Sequence, residues 1–276
     1  MIFTDIKKLL DKVLDKVKAD FADLKKDKNK LINRIVLVLA VIVFTCSLIA
    51  LIIHFVPKNS DYSDFKNSSS DIEQELPENP INFEELKTTA PDVVGWIKVE
   101  GTTIDYPVMQ SGDDKPEDFY LRRDIDGKYK NGGSIYMQRL NNDAFLDPNT
   151  ILYGHHLADK TMFTPLWELR NAESFENTDT IYVYTPGHIL KYKIFSAFVY
   201  DDRHVLNSFD FGTEEGYGAF LNDCLNPRSL TKNVREGVEV TTDDRIITLS
   251  TCTNSYYYSN ERFLVVAVLE SDTKTK

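Results

Sequence analysis

The sequence predicts a mainly β fold, a closed antiparallel barrel of about eight strands with peripheral helices, preceded by a single transmembrane helix. Three observations lead to this prediction. Segments rich in β-branched and aromatic residues recur between turn signals over most of the chain. Helical periodicity is confined to short stretches between them, and one uncharged apolar run stands near the N-terminus. At 276 residues the chain has room for one sizeable domain with appendages.

Residues 1–34 form a basic, amphipathic segment that we expect on the cytoplasmic side. Apolar residues recur there at helical spacing, and ten basic against six acidic residues give a balance of +4. Two interpretations stay open: a solvated helix whose apolar stripe packs on a partner helix, or a helix lying on the inner face of the membrane.

Residues 35–56 are predicted to be the transmembrane helix. The run 35–53 holds no charge, and 19 residues at about 1.5 Å rise span roughly the bilayer core of about 30 Å. A cleaved signal peptide would have a shorter apolar region and a small-residue cleavage site, whereas His54-Phe55-Val56-Pro57 follows here. Because basic residues precede the run, the N-terminus is expected in the cytoplasm and the body outside the cell, attached to the membrane.

Residues 57–80 are a polar linker that Pro77 and Pro80 stiffen, and residues 81–276 form the body. After residue 34 the chain has 22 basic and 37 acidic residues, a balance of −15. Nucleic acid is therefore not expected as a partner, since phosphate binding needs a basic surface.

The body is predicted to contain short strands with helical pieces between them. The helical pieces are Phe83–Lys87, Phe163–Leu169 and Thr213–Leu225, the last with Tyr217, Phe220, Leu221 and Cys224 on one face. The strands are Val93–Val99, Thr102–Gln110, Ser134–Met137, Thr150–Tyr153, Thr180–Tyr184, Ile189–Tyr200, Arg245–Thr251 and Phe263–Leu269.

Cys252 is the candidate nucleophile among three cysteines, which are too few for a disulfide framework. It ends an apolar run and precedes polar residues, so its thiol is expected at a strand end, where it meets solvent and substrate. The alternative is a buried small apolar residue. Cys224 is expected to be buried and inert on its helix, Cys46 lies in the apolar run, and a Cys224–Cys252 bridge is open on sequence alone.

His155 and His156 follow a predicted strand and are the candidate bases for that thiol. Adjacent side chains on extended backbone point to opposite sides, so one of the two faces Cys252, and the spacing does not choose between them. His188 and His204 are predicted to be surface residues. The histidine pair lacks a spaced set of further ligands and there is no Cys-x-x-Cys, so neither a metal nor another cofactor is expected.

Arg262 opens the last apolar run, ten residues after Cys252, so its position should be well fixed beside the thiol. A fixed guanidinium can donate to a developing oxyanion, and the alternative is a solubilising charge on an edge strand. The connection Thr253–Asn260 contains Tyr256-Tyr257-Tyr258, which is either a solvated loop or one wall of a groove.

These residues resemble a class B sortase over about residues 81–270. Thr248-Leu249-Ser250-Thr251-Cys252 resembles the family's Thr-Leu-x-Thr-Cys signature, Tyr153-Gly154-His155 resembles its Gly-His, and Arg262 stands where its catalytic arginine is expected. The insertion 205–244 resembles the class B segment before the cysteine strand. Further similar motifs are Gly95-Trp96-Ile97, Ile104-Asp105-Tyr106-Pro107-Val108, Tyr120-Leu121 and Gly133-Ser134-Ile135-Tyr136.

The resemblance implies a membrane-anchored cysteine transpeptidase of a Gram-positive-type surface. Its catalytic residues would be His155, Cys252 and Arg262, with Leu121 and Ser250 lining the peptide groove. It would cleave a sorting signal of secreted proteins after threonine and join that threonine to an amine of a peptidoglycan precursor through a thioester. A hydrolytic cysteine peptidase, a pilus-building sortase and a non-catalytic surface binding module are the alternatives.

Overall fold

The computed structural model describes residues 36–37, 39–45, 76–253 and 260–276. The predicted segment 1–34, most of 35–56 and 57–80, Cys46 and the tyrosines 256–258 lie outside the described residues. Residues 36–37 and 39–45 are helical. No helix within the described part of the chain combines the length and the apolar character that a membrane crossing requires.

Within the described residues, nine strands form one sheet. Their order is β5-β1-β2-β3-β4-β8-β9-β6-β7, and β5 also pairs with β6, so eight strands close into a barrel with β7 attached outside. The predicted closed barrel of about eight strands is confirmed. The strands are β1 Val93–Val99, β2 Asp105–Gln110, β3 Ile135–Met137, β4 Asn149–Tyr153, β5 Thr180–Thr185, β6 His188–Asp201, β7 Lys232–Val234, β8 Ile246–Cys252 and β9 Glu261–Lys274.

The barrel is mixed, and the prediction of a purely antiparallel one was wrong. The pairs β2–β3 and β4–β8 are parallel. A parallel pair needs a long crossover connection, and both connections are long here, with most of the body lying between β4 and β8. As a result the carboxyl ends of β4 and β8 lie at the same edge of the sheet.

Short helices cover the barrel, and the predicted ones at 83–87 and 213–225 are confirmed. The predicted turn at 163–169 is a 3₁₀ helix, Thr164–Arg170, and a second one spans Phe119–Arg122. The α-helices are α1 Phe83–Thr89, α2 Ala172–Asn177, α3 Val205–Ser208 and α4 Glu214–Leu225. Helix α4 begins at Thr213, whose hydroxyl accepts a hydrogen bond from the Gly216 N–H, and buries the predicted apolar face.

Side-chain alternation sorts the strands' residues into an inner and an outer layer. Ile247 and Leu249 of β8 pack inside the barrel, where they meet residues from the other strands of the ring. Ile246 of β8 and Leu264 of β9 face outward and pack with α4. Cys252 and Arg262 share the alternation of these outward residues, so both side chains lie on the outer face of the barrel.

The two ends of the body meet on the barrel. The Lys276 N–H donates to the Pro77 carbonyl at 3.1 Å, and Asn79 Nδ2 donates to the Thr185 carbonyl at 2.8 Å. Contacts of the body therefore begin at Pro77, four residues before the expected start at position 81.

Candidate active site

Cys252 ends β8 and pairs directly with Arg262 of β9. On its other side Arg262 pairs with Tyr200 of β6, so the three residues form one row across three strands. Arg262 lies on a central strand of the barrel, and the alternative of an edge-strand charge is wrong. Its Nη1 donates to the Glu261 carbonyl at 3.1 Å.

The two cysteines that the structure describes are both free thiols, so the Cys224–Cys252 bridge is absent. Cys224 is fully buried under the barrel wall, and burial raises its pKa well above the usual value. Cys252 is partly exposed. Because the thiolate is the reactive form, Cys252 is the accessible nucleophile and Cys224 is inert.

His155 follows β4 at the edge where β8 also ends. Tyr153 pairs with Ser250, and the Gly154 N–H donates to the Ser250 carbonyl at 3.1 Å. His155 and Cys252 each lie two residues beyond the Tyr153–Ser250 pair. The parallel register therefore brings the imidazole and the thiol to the same end of neighbouring strands.

His155 Nε2 lies 2.8 Å from the Leu121 carbonyl. A carbonyl only accepts, so Nε2 carries the proton and the neutral ring keeps its lone pair on Nδ1. Burial lowers the pKa of His155, the hydrogen bond to Leu121 opposes this, and the charge of Arg122 lowers it further. Since the ordinary pKa is about 6.5, the imidazole is mainly neutral near pH 7 and can act as a base.

His156 turns to a different partner. Its Nδ1 lies 2.8 Å from the Cys252 carbonyl, and its ring packs near Trp167 with 6.2 Å between centroids. The adjacent histidines thus contact opposite neighbours, as extended backbone requires.

A groove of about 570 Å³ collects these groups on the outer face of the barrel. All five residues that the sequence singled out, Leu121, His155, Ser250, Cys252 and Arg262, line it. Ser250 is buried there at 7% exposure, so its hydroxyl is presented to the groove floor rather than to bulk solvent.

Three further lining residues were not expected from the sequence. Tyr136 and Tyr153 stack with 5.4 Å between ring centroids and form an aromatic wall. Burial raises the pKa of Tyr153 to about 12, although the charge of Arg262 opposes the rise, so its phenol stays protonated. Arg122 completes the set. Both tyrosines stood within the quoted motifs, which was the available signal, while Arg122 had none beyond its place next to Leu121.

His204 was wrongly expected at the surface. It lines the groove, and its Nε2 lies 2.6 Å from Gln138 Oε1. The cause is that the chain turns from the end of β6 into α3 beside the groove. His188, at the start of β6, is an exposed partner of Asp272 at 2.6 Å, as predicted for a surface residue. Among the described residues no cluster of His, Cys, Asp or Glu is suited to hold a metal ion.

Comparison with known proteins points to one family. The sortase domain model matches residues 97–270. Sortase B of Staphylococcus aureus (strain NCTC 8325 / PS 47) is 31% identical over 237 residues, which are 86% of this chain and 94% of that protein.

Solved structures agree. Clostridium perfringens sortase B matches with a TM-score of 0.61 at 32% identity, covering 69% of this chain and 100% of that one. The Staphylococcus aureus sortase B–substrate complex matches with a TM-score of 0.60 at 33% identity, covering 75% and 91%. The chain therefore belongs to the sortase family, in its class B branch, and is a cysteine transpeptidase.

Proposed function

We propose that this transpeptidase cleaves a C-terminal sorting signal of secreted proteins after threonine and joins the threonine carbonyl to an amine of a peptidoglycan precursor. In this proposal residues 35–56 anchor the enzyme in the cell membrane with the body outside. The observation that carries the chemistry is the register of three strands, in which His155, Cys252 and Arg262 meet at one edge of the barrel. Among the relatives, one sortase B was solved with its substrate and another with triglycine, which supports a peptide donor and an amine acceptor here.

The acylation half begins at the thiol. His155 Nδ1 takes the proton of Cys252, because Nε2 already donates to the Leu121 carbonyl. The thiolate attacks the threonine carbonyl carbon, and the Arg262 guanidinium with backbone N–H groups stabilises the oxyanion. The C–N bond then breaks, the His155 imidazolium gives its proton to the leaving amine, and a thioester remains on Cys252.

The transfer half runs the same proton path with a new amine. The incoming amine attacks the thioester carbonyl, and His155 accepts the proton that this nitrogen loses. The C–S bond breaks, the new amide leaves, and Cys252 recovers its proton from His155. Leu121, Ser250 and the aromatic wall of Tyr136 and Tyr153 would seat the peptide beside the thiol and limit the access of water.

The test is turnover of a fluorogenic sorting-signal peptide by the full chain, with and without an added amine, followed by mass spectrometry of the products. Wild-type protein should give the amide of the added amine, and Cys252→Ala should give no turnover and no trapped thioester. Cys224→Ala is the matched control and should keep the wild-type kcat, since that thiol is sealed in the wall.

Three outcomes would reject parts of the proposal. Cleavage by Cys252→Ala at the wild-type rate would remove Cys252 as the nucleophile. A free acid as the product at every amine concentration would make the enzyme a hydrolase. Cleavage at a bond other than the one after threonine would overturn the substrate assignment.

A further inference from the structure

We propose that His156 is a positioning residue that fixes the main chain of Cys252 where the β4–β8 ladder ends. The inference rests on the proposed role of Cys252 as the nucleophile. It concerns a histidine that the reaction scheme does not use. Its imidazole nitrogen Nδ1 lies 2.8 Å from the Cys252 carbonyl.

The contact replaces a missing rung of the ladder. The Ser250 carbonyl accepts from the Gly154 N–H at 3.1 Å, and the carbonyl of Cys252, two residues later, faces the same side of its strand. The next rung would need the backbone N–H of His156. That backbone has turned away, because the Phe163 N–H donates to the His155 carbonyl at 3.0 Å and His156 pairs with Met162. The side chain of His156 supplies the donor that its backbone no longer offers.

The proton on this nitrogen is fixed by its partner. A main-chain carbonyl only accepts, so Nδ1 must donate, and it does so both in the neutral Nδ1–H form and in the cation. The contact is therefore a permanent clamp and not a switch. This distinguishes His156 from His155, whose Nδ1 is the atom left to accept a proton.

The imidazole is itself held by packing that reaches β9. Its ring lies 6.2 Å from the Trp167 ring, and Trp167 meets Phe263 edge-on at 5.2 Å. Phe263 is fully buried and is the next residue after Arg262. The support of the thiol and the support of the guanidinium are thus one packed cluster.

Loss of the clamp should act on the chemical step more than on peptide binding. Cys252 is the last residue of β8, so without His156 the end of the strand loses the partner of its carbonyl, and the sulfur is held less closely against His155 and Arg262. A misplacement of about 1 Å costs roughly 100-fold in rate. Leu121 and Ser250, which line the peptide groove, are not in this cluster, so KM should change little.

The test compares His156→Asn, His156→Asp and His156→Ala in the full chain. The asparagine Nδ2 stands at the same number of bonds from Cβ as Nδ1 and can donate, whereas the aspartate oxygen has the same shape and cannot. We expect His156→Asn to keep kcat within about 3-fold, and the Asp and Ala variants to lose about 10- to 100-fold in kcat with KM within about 2-fold.

A second measurement does not depend on turnover. The rate of iodoacetamide alkylation of the Cys252 peptide, followed by mass spectrometry over pH 5–10 as an operating range of about five pH units, should match wild type in His156→Asn and differ in His156→Asp and His156→Ala. His188→Asn and His188→Ala are the controls, because His188 Nδ1 also contacts an oxygen, on Asp272, at the other end of β6. Both should leave kcat and alkylation unchanged.

Equal kcat and equal alkylation profiles for the Asn and Asp variants would overturn the clamp, whether both resembled wild type or both were impaired. Absence of turnover in the wild-type protein would instead reject the proposed function. The alkylation profiles would then still decide whether His156 holds Cys252.

Discussion

Arg262 is the residue whose setting most constrains its chemistry. It stands between Cys252 on β8 and Tyr200 on β6, on a strand that is paired on both sides. Its charge also reaches the aromatic wall, where it opposes the rise in the pKa of Tyr153 that burial causes. A planar, fixed fork of N–H donors next to the thiol is suited to an oxyanion that forms one bond from the sulfur.

Arg262→Lys should therefore lower kcat by about 100-fold while KM stays within a few-fold, since a lysine keeps the charge and loses the planar fork. Steady-state kinetics on the sorting-signal peptide measure both parameters. Arg245→Lys is the control, because Arg245 pairs with Asp272 at 3.1 Å and does not line the groove. A kcat for Arg262→Lys equal to that of wild type would leave Arg262 with a structural role only.

The identity of these reactive residues could be predicted from the sequence because each stands where an apolar run meets polar residues. Cys252 and Arg262 bound the connection between two strands, and His155 follows a third. The choice of His155 over His156 came from the resemblance, since alternation alone leaves it open. The groove position of His204 could not be predicted, because the polar residues Asp201 to Arg203 before it are typical of a surface turn and its neighbour Gln138 is distant in sequence.

At the scale of elements, helix α4 shows how a single methyl group separates two glycines. A Cβ at Gly216 would meet the Asp210 carbonyl oxygen at 2.3 Å, which is backbone and cannot move aside cheaply. A Cβ at Gly218 would meet Thr242 Cγ2 at 3.7 Å, an ordinary contact. The first glycine is required by close approach of the chain, and the second only weakens the helix.

Gly218→Ala should raise the free energy of unfolding by about 0.5–1 kcal/mol, because alanine reduces the conformational entropy that the helix must overcome. Gly216→Ala should lower it by more than about 1 kcal/mol, because the backbone of Asp210 has to shift. Urea titration of both variants beside wild type measures the difference. A destabilised Gly218→Ala protein would contradict the packing described for this helix.

The longer elements could be predicted because several residues reveal their period, whereas the short ones could not. Strand β7 has three residues and α3 four, which is too few for either a two-residue or a 3.6-residue repeat to be recognised. Strand partners were also out of reach. Apolar alternation indicates that Asn149–Tyr153 and Ile246–Cys252 are strands, but their parallel pairing depends on the closure of the whole barrel.

At the scale of the whole molecule, both ends of the body close on one corner of the barrel. Asn79 contacts the Thr185 carbonyl and the Thr275 hydroxyl, and the Thr275 N–H donates to the Gly187 carbonyl at 2.8 Å. These contacts lie beside the β5–β6 hairpin, where the ring of eight strands is completed. The segment before position 81 therefore adds to the closure of the barrel.

A protein of residues 81–276 should unfold at a Tm about 3–8 °C below that of a protein of residues 76–276, since a few hydrogen bonds of about 1 kcal/mol each are lost. Thermal unfolding followed by circular dichroism gives both values. Asn79→Ala in the longer protein should reproduce part of the decrease. Equal Tm values for the two proteins would show that the corner contacts do not contribute to stability.

Beyond residue 75 the chain carries two cysteines, and one is sealed in the wall while the other opens on the groove. A chromogenic disulfide reagent added to the native body should consequently release one equivalent of colour, and a second only after the barrel comes apart. The protein thus contains its own folding gauge, which needs neither a dye nor an engineered label. The same titration would count competent nucleophiles in any preparation before kinetics are begun.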